Sequence, residues 1–373
     1  MKSNFIKPDF NNSIVNISAT LAEFLGCPND KPTLPVLKKE LEKNYKNVVF
    51  LIFDGLGIHP MDKNLDKDSF FKRNLKQVLT SVFPSTTTNA TTSFLTNEYP
   101  MEHGWFGWSL YFEEINRAVD IFLEKDSYTR EQIEEGYVKK VLPTAPYYKK
   151  ANSDYTTSVV VPEFWDDDYE NRYEWKSFED MLCHIGSICN KEGKQFIYAY
   201  FDEPDHTMHG YGVSSDEARE VINKLNGGLE ELSLKLDDTL FIICADHGLI
   251  DVEGVVEIYK DEELKRMLEW PLFLEARAPA FKVKENCREN FATLFNKKYG
   301  DDFVLFKTQD LIEENYFGGN IVNEHAKLLG DFIAIGKTYK IMQLTPSAPD
   351  FKGHHTSLTE EMLVPLILVG NKK

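Results

Sequence analysis

Four short runs of β-branched and aromatic residues constrain the fold of this chain more than any other feature. They are "NVVFLIFD" (47–54), "KQFIYAYFD" (194–202), "DTLFIICAD" (238–246) and "LVPLILVG" (363–370). Each is apolar on both sides of the pleat and too short for a buried helix, so each reads as a buried parallel strand. Segments with helical periodicity lie between them, notably "SDEAREVINKLNGGLEELSLK" (215–235), which starts on a Ser/Asp cap signal. Strands alternating with helices predict an α/β fold with a parallel-rich central sheet and helices on both faces. In such a sheet ligands bind outside the carboxyl ends of the strands. That edge is where Asp54, Asp202, Asp205 and Asp246 fall.

Residues 255–345 follow a different pattern. "RAPAFKV", "DFVLFKT" and "DFIAIGK" read as strands, with helices near 285–298 and 310–316. They predict a smaller α+β lobe inserted before the chain returns to the main sheet at about 346. The catalytic core is then 1–254 and 346–373. Within it, 110–192 reads as an irregular aromatic insertion whose acidic stretch "EFWDDDYENRYEW" is a solvated loop.

Composition narrows the partners. Sixty acidic against 42 basic residues give a formal charge of −18, which disfavours nucleic-acid polymers and anionic membranes, since both need a basic footprint. A small anionic substrate is repelled too, unless cations reverse the local field. No apolar stretch approaches the ~20 residues of a membrane span, and "MKSNFIKPDFNNS" has no signal-peptide core. Five cysteines without zinc-ribbon spacing read as reduced structural thiols, which places the protein in the cytoplasm.

The acids and histidines after the strands form a set. Asp54 follows the first run, Asp205 and His209 lie in "DEPDHTMHG", Asp246 and His247 in "ADHG", and His355 in "GHHTS". A lone Asp at a strand end is usually a turn cap, but six such groups on one edge point to metal. Mixed carboxylate and imidazole donors suit zinc or manganese rather than calcium. Asp205 and His209 share a face if they lie on one helical turn. Asp246 and His247 reach one ion only if the chain leaves the sheet there, and Gly248 permits that bend. Upstream, "TSVFPSTTTNATTSFLTNEYPMEHG" (80–104) sets hydroxyls at the start of a helix, where unpaired N–H groups favour a phosphate. Threonine hydroxyls are weak nucleophiles near neutral pH, whereas zinc lowers the pKa of bound water by roughly eight units. Capping alone also explains a Ser/Thr run at such a place.

Taken together, "FDGLG", "FPSTTT…LTNEYPMEHG", "EPDHTMHG", "ADHG" and "GHHTS" resemble the alkaline phosphatase superfamily, and within it the type I phosphodiesterase/nucleotide pyrophosphatase family. The resemblance implies an alkaline-phosphatase-like sheet, two zinc ions and a covalent phospho-threonine intermediate. It selects Thr87, three residues after Pro84, as the nucleophile. It implies one ion held by Asp54, Asp246, His247 and the Thr87 oxygen, and another by Asp205, His209 and His355. Three carboxylates against two dications leave such a site near +1. Of the neighbours, His103 reads as a turn residue, His206 and His354 adjoin ligands, and Asp202 and Glu203 read as supports for them.

Two departures from the family stand out. An Asn that helps bind phosphate oxygen in many members is absent from "HGWFGWSLYF", where Trp108 and Ser109 occur instead. Asn97 replaces a usual glycine, and asparagine tolerates the left-handed turn required. Because no Arg or Lys lies between Gln77 and Arg117, a doubly charged phosphate lacks its usual partners there. The aromatic wall, with Trp105 and Trp108 as candidate substrate contacts beside Ser109, suits an apolar or nucleobase group on the phosphate. A metal-dependent phosphodiesterase or nucleotide pyrophosphatase is therefore expected, acting on a small phosphodiester or nucleotide. A monoesterase or mutase of the same superfamily, or a non-catalytic metal-binding module, is the alternative.

Overall fold

The computed structural model describes residues 5–163, 165 and 171–372. Its main sheet has seven strands, in the order Leu75–Thr80, Leu363–Asn371, Thr239–Cys244, Asn47–Phe53, Lys194–Phe201, Tyr155–Pro162 and Arg172–Trp175. Asn47–Phe53 lies at the centre, parallel to both neighbours and buried throughout. Residues three apart on a strand face opposite ways, and here both faces are covered. The Phe50 ring meets Phe94 of helix Thr87–Thr96, whereas Phe53 meets Phe178 of helix Phe178–Cys189.

One of the four runs is not parallel. Leu363–Asn371 runs antiparallel to both Thr239–Cys244 and Leu75–Thr80. Burial on two faces is the same for either direction, so apolar patterning carries no information on it. The connection decides: residues 353–362 carry His355 at the carboxyl edge, and the chain must run back from there.

The second sheet corrects the expectation for 110–192. Ser109–Phe112, Arg117–Asp120 and Lys125–Asp126 form an antiparallel meander, with left-handed turns at Asn116 and Glu124. It joins Phe273–Leu274, Pro279–Phe281, Phe332–Gly336 and Phe303–Lys307 in one antiparallel sheet of seven. Tyr155–Pro162, Arg172–Trp175 and helix Phe178–Cys189 then belong to the main layer. The pieces are four residues or shorter in the meander, which is why they lack a readable period. The acidic stretch 163–175 lies partly outside the described residues. Among the described residues no helix is long and apolar enough to cross a membrane.

A buried pair bolts the second sheet to the loop carrying His355. Arg277 donates from Nε to Glu361 at 2.8 Å and from Nη1 to the Thr338 and Lys340 carbonyls, and both side chains are fully buried. Glu361 also accepts the Ser357 N–H, and its carbonyl accepts from Gly248.

Candidate active site and metal centre

Strand register explains why distant acids meet. Ile52 pairs with Cys244 and Phe53 with Phe201, so the residues just beyond, Asp54 and Asp246, leave adjacent strands at the same level. The turn after Asp54 is tight. Gly55 has φ of +73°, a Cβ there would lie 2.6 Å from Leu249, and its N–H donates to Asp246 Oδ1 at 3.0 Å. The Asp54 carbonyl accepts the Asp205 N–H at 3.0 Å, fixing the start of helix Asp205–Tyr211. Asp205 and His209 share its inner face, with Nε2 3.3 Å from Oδ1.

Thr87 opens helix Thr87–Thr96, whose N-cap is Thr86. Its Oγ1 lies 3.3–3.4 Å from the Asp54 carboxylate oxygens and 3.2 Å from His247 Nε2. Helix Ile14–Phe24 backs this helix, with Ser18 donating to the Phe94 carbonyl. Asn97 ends it in the left-handed conformation, φ 59°, as the sequence requires.

Three imidazoles are prepared alike. His209 Nδ1 lies 2.8 Å from the Gly353 carbonyl, His247 Nδ1 3.1 Å from that of Gly248, and His355 Nδ1 3.0 Å from that of Ser85. A carbonyl only accepts, so each Nδ1 carries the proton and each Nε2 keeps its lone pair. Those lone pairs turn toward the carboxylates. Asp205, His209 and His355 each offer a ligand atom within 4.8 Å of the others, and so do Asp54, Asp205 and His247. Asp205 thus belongs to both groups, while Asp246 Oδ2 stands 3.5 Å from His247 Nε2. His354 is not among them: its Nδ1 accepts the His355 N–H at 2.8 Å.

The electrostatics call for a cation. Burial, then Asp246 and Asp205, hold the Asp54 carboxyl well above the usual range; burial, then Asp246 and Glu203, do the same to Asp205. Burial presses His209 down to about 4 and His355 well below its ordinary value. Asp205 Oδ1 and Asp246 Oδ2 are buried without a hydrogen-bond partner. Carboxylates so placed are stabilised by a nearby positive charge, and the side-chain nitrogens within 4 Å of them belong to imidazoles that are neutral. The donor set fits divalent cations that accept both nitrogen and oxygen.

Three comparisons bear on this geometry. The model of the family described as "Type I phosphodiesterase / nucleotide pyrophosphatase" matches residues 48–357. The chain belongs to that family. A human relative, ectonucleotide pyrophosphatase/phosphodiesterase family member 7, is 33% identical over 102 residues, 25% of this chain and 22% of the relative. Human family member 1 is 23% identical over 206 residues, 52% of this chain and 21% of the relative. The chain therefore matches only about a fifth of the length of these curated relatives. Among solved structures, murine ectonucleotide pyrophosphatase/phosphodiesterase 5 superposes with a TM-score of 0.65 at 17% identity, covering 87% of this chain and 88% of that one. Phosphonoacetate hydrolase from Sinorhizobium meliloti 1021 gives 0.62 at 14%, covering 87% and 90%. Both share the alkaline-phosphatase-like fold seen here.

The aromatic candidates separate. Trp105 is buried, its indole N–H donating to the Leu142 carbonyl at 3.0 Å. The Ser109 hydroxyl is engaged with the Leu274 peptide, accepting its N–H at 3.0 Å. Trp108 is 40% exposed, edge-on to the exposed Phe122 ring. Two residues escaped the sequence reading. Tyr200 is buried and donates its hydroxyl to Asp54 Oδ2; being one of two phenols in the strand, with Tyr198, was its only signal. Glu275 is buried against Trp108, and nothing in "FLEARAP" marks it.

His103 sits apart from the ligands. Its Nδ1 accepts the Trp105 N–H at 3.0 Å, so Nε2 carries the proton and donates to Ser93 Oγ at 2.9 Å. Burial pulls its pKa down to about 3. The unfolded chain then binds a proton that the folded chain refuses between about pH 6.5 and 3, so stability falls as pH drops through that window. At pH 5 this costs about 2 kcal/mol. Urea titrations at pH 7 and 5 should show His103→Asn losing less stability on acidification than the parent by about that amount; equal losses would contradict the neutral-imidazole assignment.

Proposed function

We propose that the chain is a metal-dependent phosphodiesterase or nucleotide pyrophosphatase acting through Thr87. One observation carries it: the Thr87 hydroxyl, at a helix N-terminus, faces both Asp54 and His247 within 3.4 Å. Two divalent cations, zinc or manganese, fit the donors, one with Asp54, Asp246, His247 and the Thr87 oxygen, the other with Asp205, His209 and His355. Such ions lower the pKa of a bound hydroxyl or water and neutralise charge on the attacking and leaving oxygens.

The chain's own groups do the rest. Thr87 Oγ releases its proton to solvent and attacks phosphorus in line; the bond to one ester oxygen breaks and that group departs, taking a proton from water. Unpaired N–H groups at the helix start hold the phosphoryl oxygens. The threonyl ester keeps the other organic group until water attacks phosphorus and breaks the bond to Thr87, so two inversions give retention. Asp54, held by Tyr200, orients the hydroxyl. Trp108 and Phe122 form an apolar platform for a base or aryl group. A small nucleotide as substrate is supported by the murine neighbour, solved as an inactive threonine-to-alanine variant in complex with AMP. The five unpaired thiols favour a reducing, cytoplasmic setting.

The test is metal analysis of the purified protein beside its rates on two esters. We expect close to two bound divalent ions per chain and faster cleavage of bis-p-nitrophenyl phosphate than of p-nitrophenyl phosphate. A reversed preference would move the chain to the monoesterases.

A further inference from the structure

Glu275 is a buried carboxyl beside the reacting centre that the mechanism above leaves unused. Its Oε1 accepts the Trp108 N–H at 2.7 Å, and the Thr86 hydroxyl, one residue before the nucleophile, is near enough to favour its ionised form. Its charge adds, after burial and the nearer acids, to what raises Asp205. The fold commits strain to this placement. Leu274, just before it, has φ of +81° although it carries a branched side chain, a conformation that persists only where surroundings over-determine it. Gly107 lets the aromatic loop lie flat on it: a Cβ there would lie 2.8 Å from Leu274 and 3.3 Å from Glu275. Burial pushes the carboxyl up to about 7, with the Thr86 hydroxyl and then the Trp108 N–H acting against that rise, while Asp120 adds to it.

The consequence concerns charge. The Trp108 N–H is occupied by Glu275 and the Ser109 hydroxyl by Leu274, so neither is free to hold a phosphoryl oxygen. The polar group presented at that position is an acid. We infer that Glu275 is a specificity-determining residue: its carboxylate, set against the Thr86–Thr87 turn, selects phosphate esters with a single negative charge over those with two. This rests on the phosphodiesterase reading and deepens it. At pH 8 Glu275 is mostly ionised, a diester carries one charge and a monoester close to two, so repulsion from its carboxylate weighs about twice as heavily on the monoester. Site cations attract both; the acid separates them.

The decisive comparison uses the metal-loaded parent, Glu275→Gln and Glu275→Asp at pH 8. In Glu275→Gln, kcat/KM for p-nitrophenyl phosphate should rise at least tenfold relative to that for bis-p-nitrophenyl phosphate. Glu275→Asp, which restores the charge, should keep the parent's diester preference. A second arm does not depend on turnover. In a Thr87→Ala background, isothermal titration with inorganic phosphate should show Glu275→Gln binding at least tenfold tighter. An unchanged ester ratio together with unchanged phosphate affinity would overturn the assignment. So would a parallel loss on both esters with phosphate binding weakened, which would leave Glu275 as a brace for Thr86 and Trp108. If the parent cleaves neither ester the phosphodiesterase reading fails by itself, and the phosphate titration alone decides the role of Glu275.

Discussion

Replacing Thr87 by alanine should lower phosphodiester turnover by about 10⁴-fold or more while the protein keeps its fold and its bound metal. Loss of a covalent nucleophile is among the largest single-residue effects in enzymes, since the groups around it act as one unit. Thr87 has no understudy here. Thr86 stands at the N-cap position near Glu275, and the Thr88 hydroxyl is buried without a partner. Steady-state rates on bis-p-nitrophenyl phosphate give the loss, and elemental analysis of the same sample gives the metal. Intact-mass measurement after acid quench should show an adduct on the parent and none on the variant. A variant retaining a tenth of the parental rate would mean that water, not Thr87, attacks phosphorus.

The second large effect is on stability. Arg277→Met should lower the unfolding free energy by about 3–5 kcal/mol, because it strands the Glu361 carboxylate in the interior without its cation. The loss is not confined to that pair. Glu361 holds the Ser357 N–H with its side chain and the Gly248 N–H with its carbonyl. Those two residues lie next to His247 and two beyond His355, so diester turnover should fall along with stability. The double variant Arg277→Met/Glu361→Gln removes the stranded charge and should regain part of the stability. Urea unfolding of the parent and the two variants, with chelator present so that metal binding does not contribute, measures this; a loss below about 1 kcal/mol would show that water reaches the pair.

The legible parts of this protein were those where chemistry marks the geometry. An apolar strand that stops on Asp54, and another that stops on Asp246, announce a sheet edge with a task. The spacing of Asp205 and His209 announces a shared helical face. Asn97 in its left-handed turn was readable because few side chains tolerate that backbone. What stayed hidden has equally physical reasons. Direction is not encoded in burial, so Leu363–Asn371 looked parallel. The meander from Ser109 to Asp126 has strands too short to show alternation, so its place in the second sheet waited for its partner near Leu274. Tyr200 and Glu275 make contacts between neighbouring strands far apart in sequence, which no local pattern records. The aromatic wall was read as one surface, whereas Trp105 serves packing and Trp108 faces solvent.

The antiparallel strand whose direction burial could not reveal is also the one that joins two parts of the main sheet. Leu363–Asn371 lies between Leu75–Thr80 and Thr239–Cys244, joined to both by backbone hydrogen bonds. Until it emerges from the ribosome, the nascent chain holds two unsatisfied strand edges facing a gap, and His355 has only just been made. His355, the last candidate ligand in chain order, stands eight residues before that strand. A chain cut before Leu363 would leave the main sheet split between those two edges.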